Sequence, residues 1–188
     1  YRLPLYNLGD SVDLFAGYSD VDAGTTQTPA GPLQFAGKGT VYGARYNLLF
    51  ARQGEYEHKL VFGADYRIYD NACSVGSFGT AGCGSAGASV RVHPGSLSYE
   101  GQLARPSSQT AFYLTVLHNI AGGTDGTEED LDAARPGAKG DYTVLRYGVN
   151  FGMAFKSDWQ TRLHIDAQYT EDECELHLQY NLYPAFQK

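Results

Sequence analysis

Arg45, Asp65, Arg67, Glu100, Arg146, Arg162, His164 and Asp166 are the side chains with the most chemistry to offer. Each lies in a stretch of alternating polarity, and each falls on the polar parity of its stretch. Strand side chains point to opposite faces in turn, so this placement puts carboxylates, guanidinium groups and an imidazole on one side of a β-structure. Two kinds of chemistry fit: ion pairing across a crowded wet interior, or a charged path along which a polar chain could move. His164 and His177 share the polar parity of the last two stretches and are the one pair that a metal could bridge. The other histidines, His58, His93 and His118, stand in no H-E-x-x-H arrangement. No G-x-S-x-G elbow occurs either, so the residues support no enzyme, catalytic group, metal or cofactor.

Two glycine motifs have bland readings. Gly82, Gly84 and Gly87 match G-x-G-x-x-G, but a dinucleotide site needs a strand leading in and a helix N-terminus following. Here the flanks are a Gly/Ser-rich loop and the extended run SVRVHP. Gly37-Lys38 resembles a phosphate loop, yet Gly31 is one residue too distant and Gly39 stands where a hydroxyl should hold magnesium.

Cys73 and Cys83 lie in NACSVGSFGTAGCGSAGAS, which has the composition of a loop. Their pairing would stabilise by roughly 3 kcal/mol on the chain-entropy view and would imply an oxidising compartment. Metal ligation is the rival reading, without C-x-x-C spacing or a neighbouring histidine pair to favour it. Cys174 is left over.

The elements that must position these groups read as strands. DYTVLRYGVNFGMAF sets Leu145, Tyr147, Val149 and Phe151 against Arg146, Gly148 and Asn150. After Lys156-Ser157-Asp158, WQTRLHIDAQYT sets Leu163, Ile165 and Ala167 against Arg162, His164 and Asp166. The same two-residue period runs through Ser11–Asp22, where Phe15 breaks it by sitting with the polar set. It continues through Thr40–Arg52, His58–Asp70, Ser89–Ala104 and Glu173–Lys188. In Gln109–Ile120 the facing is ambiguous. Short links fall at Leu8–Asp10, Gln53–Tyr56, Pro106–Ser108 and Lys156–Asp158. Long loops are expected at Ala23–Gly39, Asn71–Ala88 and Ala121–Gly140, the last left irregular despite a helical signal at Glu128–Arg135.

Composition agrees with an all-β chain. There are 15 Tyr and 23 Gly, and charged residues make up only 19%, which is low for a soluble domain. A net charge of -7 with no basic cluster argues against nucleic acid as a partner. Runs of about thirteen alternating residues, tilted about 45 degrees, rise roughly 30 Å and match a bilayer core, whereas soluble strands are about half as long. The fold expected is an antiparallel transmembrane β-barrel of about eight strands, alone or as part of a larger barrel, with alternating short turns and long outer loops. Its partner would be the lipid bilayer. Tyr69, Tyr142, Phe155, Trp159 and Tyr183 near the strand ends suit an aromatic girdle. A water-soluble barrel is the competing architecture. The chain opens at Tyr1 without an initiator Met or signal peptide, which suggests an excised portion of something longer.

The wording of the strands also resembles a family. PLYNLGDSVDLFAGYSDVDAGT, GTVYGARYNLLFARQGEYEHKLVFGADYR, HNIAGGTDG and DYTVLRYGVNF with DWQTRLHIDAQYTED are similar to the barrel portion of the two-partner secretion transporters. These are the TpsB or haemolysin secretion and activation proteins, relatives of the BamA-like barrel assembly proteins. The likeness runs from Tyr1 to about Asp172. It implies a sixteen-stranded barrel in the bacterial outer membrane that exports an unfolded partner haemolysin or adhesin without nucleotide hydrolysis. The POTRA domains of that family have no counterpart here, and neither does its Val-Arg-Gly-Phe motif after YTED. The alternative expectation is a small closed barrel with a structural or loop-binding role and no transport.

Overall fold

The computed structural model describes residues 1–29, 31–155, 159–170 and 177–185. Its framework is one 10-stranded antiparallel sheet. The strands are β1 (Arg2–Leu5), β2 (Asp10–Thr28), β3 (Gly31–Leu49), β4 (Tyr56–Val75), β5 (Val90–Val92), β6 (Pro94–Arg105), β7 (Ser108–Asn119), β8 (Thr143–Ala154), β9 (Gln160–Thr170) and β10 (His177–Ala185). Each pairs with its sequence neighbour, except that β5 and β6 both pair with β4, β5 along Arg67–Tyr69 and β6 along Tyr56–Ala64. Where the links are short, as between β1 and β2, β2 and β3, and β6 and β7, two to four residues can return the chain only to the adjacent antiparallel position. Gly9 and Gly54, both at positive φ, occupy two of the turns. The expected turn at Lys156–Asp158 and residue Cys174 lie outside the described residues.

Among the described residues the sheet is open: β1 pairs only with β2, and β10 only with β9. The all-β antiparallel architecture is therefore as the alternation predicts, without closure of the sheet on itself.

Three expected loops are different in the structure. Ala23–Gly39 is strand: β2 and β3 continue to Thr28 and from Gly31, pairing Thr25 with Gln34 and Gln27 with Pro32. A register shift between Asp22 and Thr25, with Gly24 at φ 70, absorbs the irregularity. Threonine and glutamine read as loop only if a strand must alternate, and a ribbon with water on both faces need not. β4 likewise runs through Asn71 to Val75 before two 3-10 segments, Gly76–Phe78 and Thr80–Gly87, form the actual loop. The third loop contains helix α1, Glu128–Ala134, built on a reciprocal cap in which Thr127 and Asp130 each bind the other's backbone N–H. Leu131 of this helix is buried, which supplies the tertiary contact that a helix of 7 residues needs.

The two faces of the sheet have opposite fates. Tyr42, Phe62, Leu97, Leu114, Tyr147 and Val149 share one face through the register, and each is exposed, Phe62 at 46% and Leu114 at 47%. On the other face Asn47, Val61, Asp65, Ser98 and Thr170 are buried. Burial on the polar side is confined to part of it, since Phe15, Arg146, Asn150 and Arg162 on that face are exposed, whereas the large apolar side chains of the other face stand bare. The facing of β7 is settled as well: Phe112, Leu114 and Val116 oppose Val149, Tyr147 and Leu145, so Tyr113 and Thr115 belong to the polar face.

Candidate functional site

The polar face carries every expected charged residue whose side chain is described. Asp65 on β4 is the centre of the first group. Its carboxylate accepts from Arg45 Nη1 at 2.5 Å and Nη2 at 3.0 Å, and from Arg67 Nη2 at 2.8 Å. The Asp65 side chain is 4% exposed, so a carboxylate there is stable only because two guanidinium groups replace its water. Phe15 completes the group. Its place on the polar parity is explained by Gly43, which directly opposes it and has no side chain: a Cβ there would lie 2.2 Å from Phe15 Cζ. With the ring laid over that gap, the Arg45 guanidinium sits 5.1 Å from its centroid, at cation–π distance.

A second pair, Lys59 with Glu100, spans directly opposed positions of β4 and β6 at 2.9 Å. A third group lies on β7, β8 and β9. Tyr113 donates to Asp166 Oδ1 at 2.6 Å, Asp166 also contacts His164 Nε2, and His164 Nδ1 meets Asn150 Oδ1. Gly148 lies between Tyr113 and Asp166 in the register, and a Cβ there would come within 2.3 Å of Asp166 Oδ1. Arg146 donates to Gln168 at 2.8 Å rather than to a carboxylate. Arg162 opposes Gly152 on the same face.

The structure thus joins Arg45, Asp65 and Arg67, joins His164 and Asp166, and gives Glu100 a lysine partner. Phe15, Lys59, Tyr113 and Asn150 complete these groups without having been singled out as site residues. The signal for Phe15 was its break in parity; for Tyr113 it was hidden by the ambiguous facing of β7. His164 opposes Asn181 in the register, and His177 opposes Gln168, so the two histidines are not cross-strand neighbours. Among the described residues no three His, Cys, Asp or Glu side chains come together to hold a metal. Both ring nitrogens of His164 are engaged, one with Asp166 and the other with Asn150. What this face offers is a wall of charged and polar groups, with Asp65 paired to Arg45 and Arg67 and Glu100 paired to Lys59.

The bare face has its own polar borders. At one end Lys38 stands opposite both Asp20 and Asp70, with its ammonium 3.7 Å from Asp20. At the short-turn end Phe50, Tyr56, His58, Tyr99 and Phe112 cluster. His58 stacks on Phe50 and Tyr56 at 4.7 and 4.9 Å, and the Tyr56 and Tyr99 hydroxyls meet at 2.7 Å. Phe155 and Trp159 are exposed at that same end. Tyr69 takes the parity of Arg67 and lies on the polar face instead. Tyr142 and Tyr183 sit next to or within their strands, the Tyr183 side chain lying outside the described residues.

Cys73 and Cys83 are joined as a disulfide with Cα atoms 6.0 Å apart. Gly82, Gly84 and Gly87 belong to the loop this bond ties down, with no helix N-terminus to receive a pyrophosphate. Comparison of the chain with protein-family models, curated proteins and solved structures returns no match.

Proposed function

We propose that this chain forms wall of an outer-membrane β-barrel pore of the two-partner secretion type, in the bacterial outer membrane, through which an unfolded haemolysin or adhesin leaves the cell without nucleotide hydrolysis. The observation that carries this reading is the inverted burial of the sheet. A contiguous face of large apolar side chains left bare, opposite a face of paired charges that is partly buried, is what lipid outside and water inside select, whereas a soluble barrel hides its apolar side. The bordering Asp20–Lys38–Asp70 row and the opposite aromatic cluster bound a belt of the right kind. The family assignment rests on the strand wording. Transport needs a lumen wider than that of an eight-stranded barrel, which side chains just fill, so the open edges at β1 and β10 would be completed by further strands.

A second reading is a small sealed barrel that works through its outer end. It is favoured by the β2–β3 ribbon, which runs past the charged row to Thr28 and Gly31 with polar residues on both faces. Refolding the protein into phosphatidylcholine vesicles and recording single-channel currents in planar bilayers separates the two. Stable large conductance supports the pore, and inserted protein without conductance leaves the sealed barrel.

A further inference from the structure

We infer that the loop held by Cys73–Cys83 and helix α1 together form a lid folded across the outer end of the polar face, with the disulfide as its latch. This rests on the pore reading above. Register decides the direction of the fold: Cys73 opposes Phe35 and has the parity of Asp65 and Arg67, so its side chain leaves β4 on the polar side. The bond to Cys83 must then draw the loop over that side and not outward. Asn71, two residues earlier on the same face, holds the loop's far end by donating from Nδ2 to the Ala88 carbonyl at 2.9 Å.

Helix α1 comes from the opposite flank. Its buried Leu131 lines a depression with Val144, Arg146, Gln168 and Thr170, all on the polar parity of β8 and β9. The two flanks meet. Thr80, Gly84 and Gly87 of the loop line one groove of about 800 Å³ with Phe35 of β3 and Ala133 of α1.

The latch is needed because the loop has little else. Its 3-10 segments contain no buried residue: Phe78 in the first is exposed, and TAGCGSAG in the second offers no large apolar side chain. Cutting the bond frees a glycine-rich segment to leave the polar face, while α1, docked through Leu131, stays.

The test compares the oxidised protein with Cys73→Ser/Cys83→Ser, both refolded into vesicles and checked for insertion. Dithiothreitol on the wild type is a parallel arm: the S–S bond breaks, each sulfur gains a proton, and the reagent's two thiols are oxidised to its cyclic disulfide. The expected result is higher single-channel conductance in the variant and in the reduced wild type, with faster thermolysin cleavage within 76–88. Equal conductance and equal cleavage would overturn the lid while leaving the pore. Faster cleavage with no conductance from either protein would overturn the pore and, with it, the gating role of the lid.

Discussion

Arg45 and Asp65 meet on adjacent strands two residues out of register, guanidinium to carboxylate through two bonds, because Gly43 and Gly63 leave the directly opposed positions without side chains. Removing the carboxylate leaves Arg45 and Arg67 facing one another without a counter-ion. Asp65→Asn is expected to cost about 2–4 kcal/mol. Arg67→Gln should cost less, since Asp65 keeps both bonds to Arg45. Urea unfolding in vesicles, followed by tryptophan fluorescence, gives the comparison.

Gly43 and Phe15 should behave as one unit. Gly43→Val drives a side chain into the Phe15 ring and is expected to destabilise by about 1–3 kcal/mol. In a Phe15→Ala background the same change should cost less, giving a double-mutant coupling of clear sign. Additive effects would show that the ring does not occupy the space above Gly43.

Leu114 distinguishes lipid from water on the bare face. It is 47% exposed, so in a soluble protein Leu114→Arg would alter stability by only about 0.5 kcal/mol. In a bilayer the same change should cost about 2–4 kcal/mol. Refolding yield and unfolding midpoints in vesicles measure it.

Asn119 is fully buried and ties the segments at His93 and Gly140 to the end of β7. Its Oδ1 accepts from His93 N at 2.8 Å and its Nδ2 donates to Gly140 O at 2.7 Å. Asn119→Ala leaves both backbone groups unsatisfied and should cost roughly 2 kcal/mol. Amide exchange should accelerate first at His93 and in the loop before β8.

Asp130 caps α1, and its bonds to the Thr127 side chain and backbone hold its carboxyl below the ordinary range. A carboxyl with a lowered folded pKa contributes stability above its unfolded value of about 4, and that contribution is lost as pH falls through the folded value. The α1 amides of Leu131 and Arg135 should therefore lose protection on acidification below about pH 4, measured by exchange. Asp130→Ala should remove that dependence.

Much of the molecule is written locally. Alternation with a period of two marks the strands, divides Leu145, Tyr147 and Ile165 from Arg146, His164 and Asp166, and places the glycine turns at Gly9 and Gly54, because side-chain direction in a strand depends only on position along it. Composition misled where both faces meet water: Thr25–Thr28 and Pro32–Gln34 form strands through their pairing, not through any pattern of their own. Register decided which charges meet, since Asp65 finds Arg45 only when Gly63 stands opposite it. Tertiary contact alone decided that Leu131 is buried. Pairing register and loop docking are relations between segments distant in sequence, and a local pattern carries no record of them.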